Sequence, residues 1–211
     1  MDSRSRTTVA PAGAGTIVRH FVIGLAGLGG AGKGEVQAML LSRRPGVTVH
    51  LRTIVEEELR RQGRAATNES LRAEATRLRA EEGPDAIAKR ALPQVRAGVE
   101  HYPVVVIDSI KSIDEVRAFR AGLPDRLVVL AVVASPDVRF ARLASRGLPW
   151  DMRDRSAFDW RDRVEASWGA ADAVAAADYT IRNDATRHDL ELRVDEFLAW
   201  LDRGTPPPRG P

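Results

Sequence analysis

Residues 22–35, Val-Ile-Gly-Leu-Ala-Gly-Leu-Gly-Gly-Ala-Gly-Lys-Gly-Glu, constrain this chain more than any other stretch. Gly27, Gly32 and Lys33 stand at the spacing GxxxxGK. In that pattern glycines let successive backbone N–H groups turn inward around phosphate oxygens, and the lysine neutralises their charge. The apolar run Ile17 to Leu25 reads as a buried strand before the loop, and Glu35 to Leu41 opens an amphipathic helix after it. A strand, a loop and a helix N-terminus in this order present an anion with aligned amides. The nucleotide-binding set is therefore Gly27, Gly29, Gly30, Ala31, Gly32, Lys33, Gly34 and Glu35. The position after the lysine normally supplies a Ser or Thr hydroxyl to Mg²⁺, but here it is Gly34. The metal must then be held through water, the nucleotide and a distant carboxylate.

Length and composition bound the rest. With 211 residues and 44% hydrophobic content, the chain can bury the core of one α/β domain, with room for a small inserted subdomain. There is no cysteine, and His20, His50, His101 and His188 lack metal-ligand spacing, so a structural zinc site is not expected. The longest apolar run, Leu127 to Ala134, is too short to span a bilayer, and the N-terminus has no secretory pattern. A cytoplasmic location is the expectation. A net charge of +3 and 5% aromatic residues, with no basic stripe carrying interleaved aromatics, argue against nucleic acid as a partner. Of 32 basic residues only Lys33, Lys89 and Lys111 are lysine. In a chain that otherwise uses arginine, those sites are candidates for needing a compact, flexible ammonium.

Residues 1–16 and 204–211 are too poor in apolar side chains to repay ordering and read as tails around a single domain at 17–203. Strands are predicted at Ile17–Ala26, Val47–Leu51, Val104–Asp108, Leu127–Ala134 and Tyr179–Asn183. Near-continuous Val, Ile and Leu in three of them predicts a five-stranded parallel sheet between helices. Helices are predicted at Thr53–Gln62, Asn68–Glu82, Pro84–Val99, Asp114–Ala121, Pro136–Arg146 and Ala185–Asp202. The first three follow one another without a strand and form a helical insertion at about 53–100. The segment from Gly147 to Trp160, with mixed charge and two tryptophans, reads as a mobile lid loop.

Two further groups carry chemistry. Asp108 ends an apolar strand, the usual place for a carboxylate near Mg²⁺ at the C-terminal edge of such a sheet, and Lys111 follows three residues later. Arg139, Arg142 and Arg146 recur on one helical face, ahead of Arg153, Arg155, Arg161 and Arg163. Arginine forks closing over a transferring phosphoryl group would stabilise its charge and exclude water. A solvated surface would pair most of them with Asp137, Asp151, Asp154, Asp159 and Asp162, so two or three are expected to act, Arg142 and Arg146 first.

Taken in order, these motifs resemble a known family. The Gly-Lys-Gly-Glu loop is followed by Glu82-Gly-Pro-Asp-Ala-Ile-Ala-Lys89-Arg90, Ile107-Asp-Ser-Ile-Lys111-Ser and Ala134-Ser-Pro-Asp-Val-Arg139-Phe, then by Arg142-Leu143, Arg146-Gly147 and Ala177-Asp-Tyr-Thr-Ile-Arg-Asn183. The chain resembles, over roughly residues 18–201, an archaeal-type nucleotide kinase family related to adenylate kinase and dephospho-CoA kinase. The resemblance implies a P-loop NTPase fold of the nucleoside-monophosphate-kinase kind. It also implies ATP and Mg²⁺ as cofactors, an acceptor-binding helical insertion and an arginine-bearing lid. With the reading of the residues above, the expected acceptor-binding residues are His50, Arg52, Thr53, Lys89, Arg90 and Lys111, the expected metal ligand is Asp108, and the expected catalytic residues are Lys33, Asp108, Arg142 and Arg146.

The departures point to an altered acceptor. Where the family is expected to carry Gly-Asp and then Arg after the second strand, this chain has Arg52-Thr53 and Glu56. Thr53 cannot act as a base, which leaves His50, Asp108 or a nearby glutamate, and Glu56 would repel a phosphate. The residue after Asp108, usually Gly, is Ser109, and Lys111 stands where arginine is usual. The expectation is an ATP-dependent kinase transferring to a hydroxyl, ribose 3′ by analogy with dephospho-CoA kinase, of a nucleotide or nucleoside-like molecule. A nucleoside monophosphate kinase and a non-catalytic nucleotide-binding regulator are the alternatives. The expected partners are that small acceptor and a second copy in a homodimer, with neither nucleic acid nor membrane.

Overall fold

The computed structural model describes residues 20–123, 127–147 and 154–204. Five parallel strands, β1 (Phe21–Ala26), β2 (Gly46–His50), β3 (Val104–Ile110), β4 (Leu127–Val133) and β5 (Tyr179–Arg182), lie in the order β2-β3-β1-β4-β5. β1 and β3 are buried almost throughout, as expected of central strands covered on both faces. α1 (Lys33–Arg43) and α9 (Arg187–Arg203) bury Val36, Leu40, Leu190, Val194 and Phe197 against Ile23, Leu25 and Val106 on one face. On the other face lie α2 (Leu51–Arg61), α3 (Asn68–Glu82), α4 (Ala86–His101), α5 (Ile113–Gly122) and α8 (Ala170–Ala175). Leu59, Leu78, Ala88, Val95 and Phe119 from these helices pack on Val22, Val105 and Ile107. α6 (Pro136–Arg146) and α7 (Arg155–Ser167) lie beyond the C-terminal ends of the strands.

The expected sheet is present with shifted ends. β2 stops at His50, and Leu51, assigned to it by hydropathy, instead starts α2 and is buried beneath it. β3 continues past Asp108 to Ile110. Residues 17–19 of the predicted first strand, most of both predicted tails, and 148–153 of the predicted lid lie outside the described residues. The remainder of that lid is corrected: Arg155 to Trp160 open helix α7, which Asp154 caps by accepting the Ala157 N–H at 3.0 Å.

The three helices between β2 and β3 are tied together by charge. Glu74 of α3 is buried and receives Gln62 at 2.9 Å, Arg64 at 2.9 Å and Arg77. Arg90 of α4 clasps Glu58 of α2 at 2.9 Å and Glu82 at 2.6 Å. The buried Glu74 carboxylate is thus paired and hydrogen-bonded, the condition under which burying it is tolerable.

Candidate active site

The loop between β1 and α1 is shaped by three glycines that no other residue could replace without strain. Gly27 has φ 136°, and a Cβ there would lie 2.2 Å from the Val132 carbonyl oxygen. At Gly30 (φ 82°) it would lie 2.7 Å from the Arg139 carbonyl, and at Gly32 (φ 102°) 2.2 Å from Asn183 Nδ2. Buried Asn183 donates to the Ala31 carbonyl at 2.9 Å, locking the loop to the end of β5. Gly34 differs, since a side chain there would meet nothing within 4 Å. A serine or threonine would fit, so the missing metal-binding hydroxyl is not excluded by crowding. Glu35 is exposed in the first turn of α1, where its charge suits the helix dipole.

Lys33 folds back over this loop, its Nζ donating to the carbonyls of Gly27 at 2.7 Å and Leu28 at 3.2 Å. Burial pushes the ammonium down to a pKa of about 8. Lys111 and Arg161 push in the same direction, and Glu165 and Asp108 pull back.

Asp108 and His50 face each other across paired positions of β3 and β2, with Nδ1 and Oδ2 3.0 Å apart. Beside Asp108 the pairing of β1 with β3 slips, from Gly24 opposite Ile107 to Ala26 opposite Ile110. Ser109 in this bulge has φ 76°, the left-handed region in which a glycine would be at ease. The unusual serine therefore holds strained backbone at the edge of the site. Ser109→Gly is expected to stabilise the fold by about 0.5–1 kcal/mol; denaturant titration measures it, and a loss of stability would refute the assignment of strain.

The arginines of α6 divide their work. Arg139 is buried and anchors the loop, donating to the Gly29 carbonyl at 3.1 Å and clasping Asp162 of α7. Arg142 turns toward the start of α1, donating to Asn183 Oδ1 at 3.3 Å. Its Nη1 is buried without a partner among the described residues and lies about 4.0 Å from where a Cβ on Gly32 would be, so it is a donor available beside the loop. Arg146 lines a cavity of about 280 Å³.

That cavity lies beside the loop, between α2, α3, α5 and α7. Its polar lining consists mainly of Arg52, Arg72, Arg79, Arg146, Arg161 and Lys111 against Asp108, Glu115 and Glu165. Cations outnumber carboxylates, which suits an anionic occupant. Trp168 forms part of its wall, with the Arg79 guanidinium and the Lys111 ammonium 5.1 and 5.4 Å from its ring centroid.

Of the acceptor residues expected from sequence, Arg52 and Lys111 line this cavity, and His50 reaches its edge through Asp108. Three do not join them. Thr53 caps the turn by donating to the His50 carbonyl at 2.7 Å, Lys89 is exposed and pairs with Asp85 at 2.9 Å, and Arg90 is used between the helices. Glu56, read as repelling a phosphate, is neutralised by Arg52 at 2.6 Å and lies outside the lining.

Relatives carry the assignment further. Over 179 residues the chain is 35% identical to a UPF0200 protein of Thermococcus onnurineus, a match covering 84% of this chain and 96% of that relative. The chain belongs to the UPF0200 family. A UPF0200 protein of Thermococcus sibiricus is likewise 35% identical over 183 residues, with 86% of this chain and 95% of that one covered. No family model matches the chain. In architecture it is similar to shikimate kinase from Bacteroides thetaiotaomicron, with a TM-score of 0.56, 18% identity, and 86% and 98% of the two chains covered. At that identity the likeness establishes the fold alone, an α/β fold of the P-loop NTPase kind.

The residues of this UPF0200 chain fit a nucleotide polyphosphate with its metal. The turns at Gly27, Gly30 and Gly32 leave room for no side chain, Lys33 and Arg142 bring donors to the loop, and Asp108 stands in the adjoining β3, two residues before its end. Among the described residues no group of three or more His, Cys, Asp or Glu could form a metal cage. One carboxylate plus phosphate and water is the arrangement that suits Mg²⁺. No helix among the described residues is long and apolar enough to cross a membrane.

Sequence reasoning overlooked Arg72, Arg79, Glu115, Glu165 and Trp168 and did not favour Arg161. Phe158, Arg161 and Glu165 lie three and four residues apart, a helical spacing that was available to be read. Two of the three are charged, so the stripe did not register as a buried face.

Proposed function

We propose that this protein is an ATP-dependent, Mg²⁺-requiring small-molecule kinase. It moves the γ-phosphoryl group to a sugar hydroxyl, ribose 3′ by family resemblance, of a nucleotide or nucleoside-like acceptor. The observation carrying the proposal is that Asp108, Lys111, Arg161 and Glu165, which line the guanidinium-rich cavity, are also the charged groups around Lys33, with Arg161 lying against Gly29 of the loop. Loop amides and Lys33 hold the donor's phosphates, Arg142 adds a donor at the start of α1, and Asp108 holds the metal. The bound Mg²⁺ supplies charge neutralisation on the phosphates. Arg146 and the other cavity guanidiniums hold the acceptor's own anionic group, which orients its hydroxyl toward the loop. Asp108, bonded to His50, and Glu165 are the carboxylates of the cavity wall on the loop side, and one of them would take the hydroxyl proton.

A second reading, a nucleoside monophosphate kinase, is favoured by one correction. With Glu56 paired to Arg52, nothing in that segment repels an acceptor phosphate. Phosphorus NMR of the product separates the two: a new phosphomonoester on a sugar carbon supports the first, and a 5′-diphosphate supports the second.

Lys33 sets the pH dependence of nucleotide binding. With its pKa lowered to about 8, the free protein loses this proton as pH rises through 8, while bound phosphates favour the charged form. Binding above pH 8 must therefore take up a proton. ATP affinity is expected to be level from pH 7.5 to 8 and then to fall, by at most about tenfold per unit. Calorimetric titration between pH 7.5 and 9.5 measures this, and a level profile to pH 9.5 would contradict it.

A further inference from the structure

Glu165 of α7 is a charged residue with almost no access to water, its side chain only 7% exposed. Its Oε1 accepts from Lys111 Nζ at 3.2 Å and from Arg161 Nε at 3.2 Å. Burial alone would raise the pKa of such a carboxyl, but Lys111, Arg161 and Lys33 together outweigh it and hold the group at about 2, fully ionised. These are the cations at the glycine loop and at the cavity beside it. Lys33 belongs to the glycine loop, Lys111 lines the cavity, and the Arg161 guanidinium lies over the loop, 2.9 Å from where a Cβ on Gly29 would be. Helix α7 is also fixed to α6 by Asp162 and Arg139, whose guanidinium bonds the Gly29 carbonyl. Any anion bound at the loop shares its counter-charges with Glu165, and two anions in a poorly hydrated site repel strongly.

We infer that Glu165 is an internal surrogate anion: its carboxylate competes with ligand phosphates for Lys111 and Arg161, and α7 loosens when a polyphosphate binds. The inference rests on the nucleotide reading of the loop and adds a competitor that such a reading does not require. It gives the site a threshold. Weakly charged molecules do not displace the carboxylate, whereas a polyphosphate does, so the helix over the loop responds to ligand charge. The direction is opposite to simple lid closure, in which ligand would tighten α7.

Two measurements on the full chain test this. Calorimetry with inorganic tripolyphosphate, and separately with ATP and Mg²⁺, compares the native protein with Glu165→Gln and Glu165→Asp. Glu165→Gln is expected to bind both probes at least tenfold more tightly, and Glu165→Asp, which keeps the charge, within about threefold of native. Equal or weaker binding by a Glu165→Gln protein that still unfolds cooperatively would overturn the proposal. Should that variant not fold, hydrogen exchange in the native chain decides. Amides of residues 155–167 exchanging faster with ATP and Mg²⁺ support displacement, and unchanged or slower exchange overturns it. ATP binding indifferent to residue 165 removes the competitor and leaves the nucleotide reading intact. Failure of native and variant proteins alike to bind ATP removes both.

Discussion

Replacing Lys33 by methionine is expected to lower kcat/KM for phosphoryl transfer by about 10²–10³-fold while leaving the fold at least as stable as before. The two effects have one cause. The ammonium is buried beside the phosphate loop, and its pKa is depressed to about 8. At pH 7 it is charged in both the folded and the unfolded chain, so the fold bears the whole cost of burying it, a cost relieved only as pH rises from 8 toward 10.5. Methionine removes that cost together with two bonds to loop carbonyls, and places an unbranched apolar chain of similar length in the same space. Loss of activity without loss of stability marks a residue kept for function. Steady-state kinetics and thermal unfolding at pH 7 measure the two halves. Unimpaired transfer would refute the role of the loop, and a lower unfolding midpoint would refute the account of the buried charge.

The largest stability effect is expected elsewhere, at Glu115. This carboxylate is completely buried, receives the Arg79 guanidinium at 2.7 Å and accepts the backbone N–H of Lys111 at 2.8 Å. It thereby joins α3, α5 and the segment that follows Asp108. Glu115→Ala leaves Arg79, whose side chain is 12% exposed and whose Nε already lacks a partner among the described residues, as an uncompensated buried charge. The expected cost is about 3–5 kcal/mol. Denaturant unfolding measures it, and Glu115→Gln, which keeps an acceptor for the Lys111 amide, should lose less. A cost below about 1 kcal/mol for Glu115→Ala would show that the pair is solvated.

The parallel sheet could be read from the sequence because strands buried on both faces leave long unbroken runs of Val, Ile and Leu, as in Val104–Ile107. The loop was legible for a related reason. Left-handed backbone and close approach leave glycine as the unstrained choice at Gly27, Gly30 and Gly32, so the geometry is written into residue type. Helix α7 was not legible, because its buried residues are Phe158 and Glu165 and its inward stripe faces a charged site instead of an apolar core. Hydrophobic periodicity reports burial among hydrocarbons, and here the helix is held by ion pairs. Lys89 and Arg90 misled for the converse reason. Charged residues in a helix adjoining a ligand site look alike in sequence whether they serve the ligand or a neighbouring helix, and only the positions of Asp85, Glu58 and Glu82 distinguish the cases. Glu56 misled because the predicted helix begins at Thr53, whereas α2 begins at Leu51, which puts Arg52 one helical turn before Glu56 on the same face.

The most direct test of the whole account is whether this protein moves phosphate from ATP to a small molecule. Purified protein would be incubated with ATP, Mg²⁺ and a pooled panel of nucleosides, nucleoside monophosphates and dephospho-CoA, with Lys33→Met as the blank, and the mixture followed by mass spectrometry. The account predicts ADP formation that depends on the panel, together with one panel member heavier by a single phosphoryl group, and neither with Lys33→Met. ATP left intact, or ADP formed equally without any panel member and by the Lys33→Met protein, would contradict it.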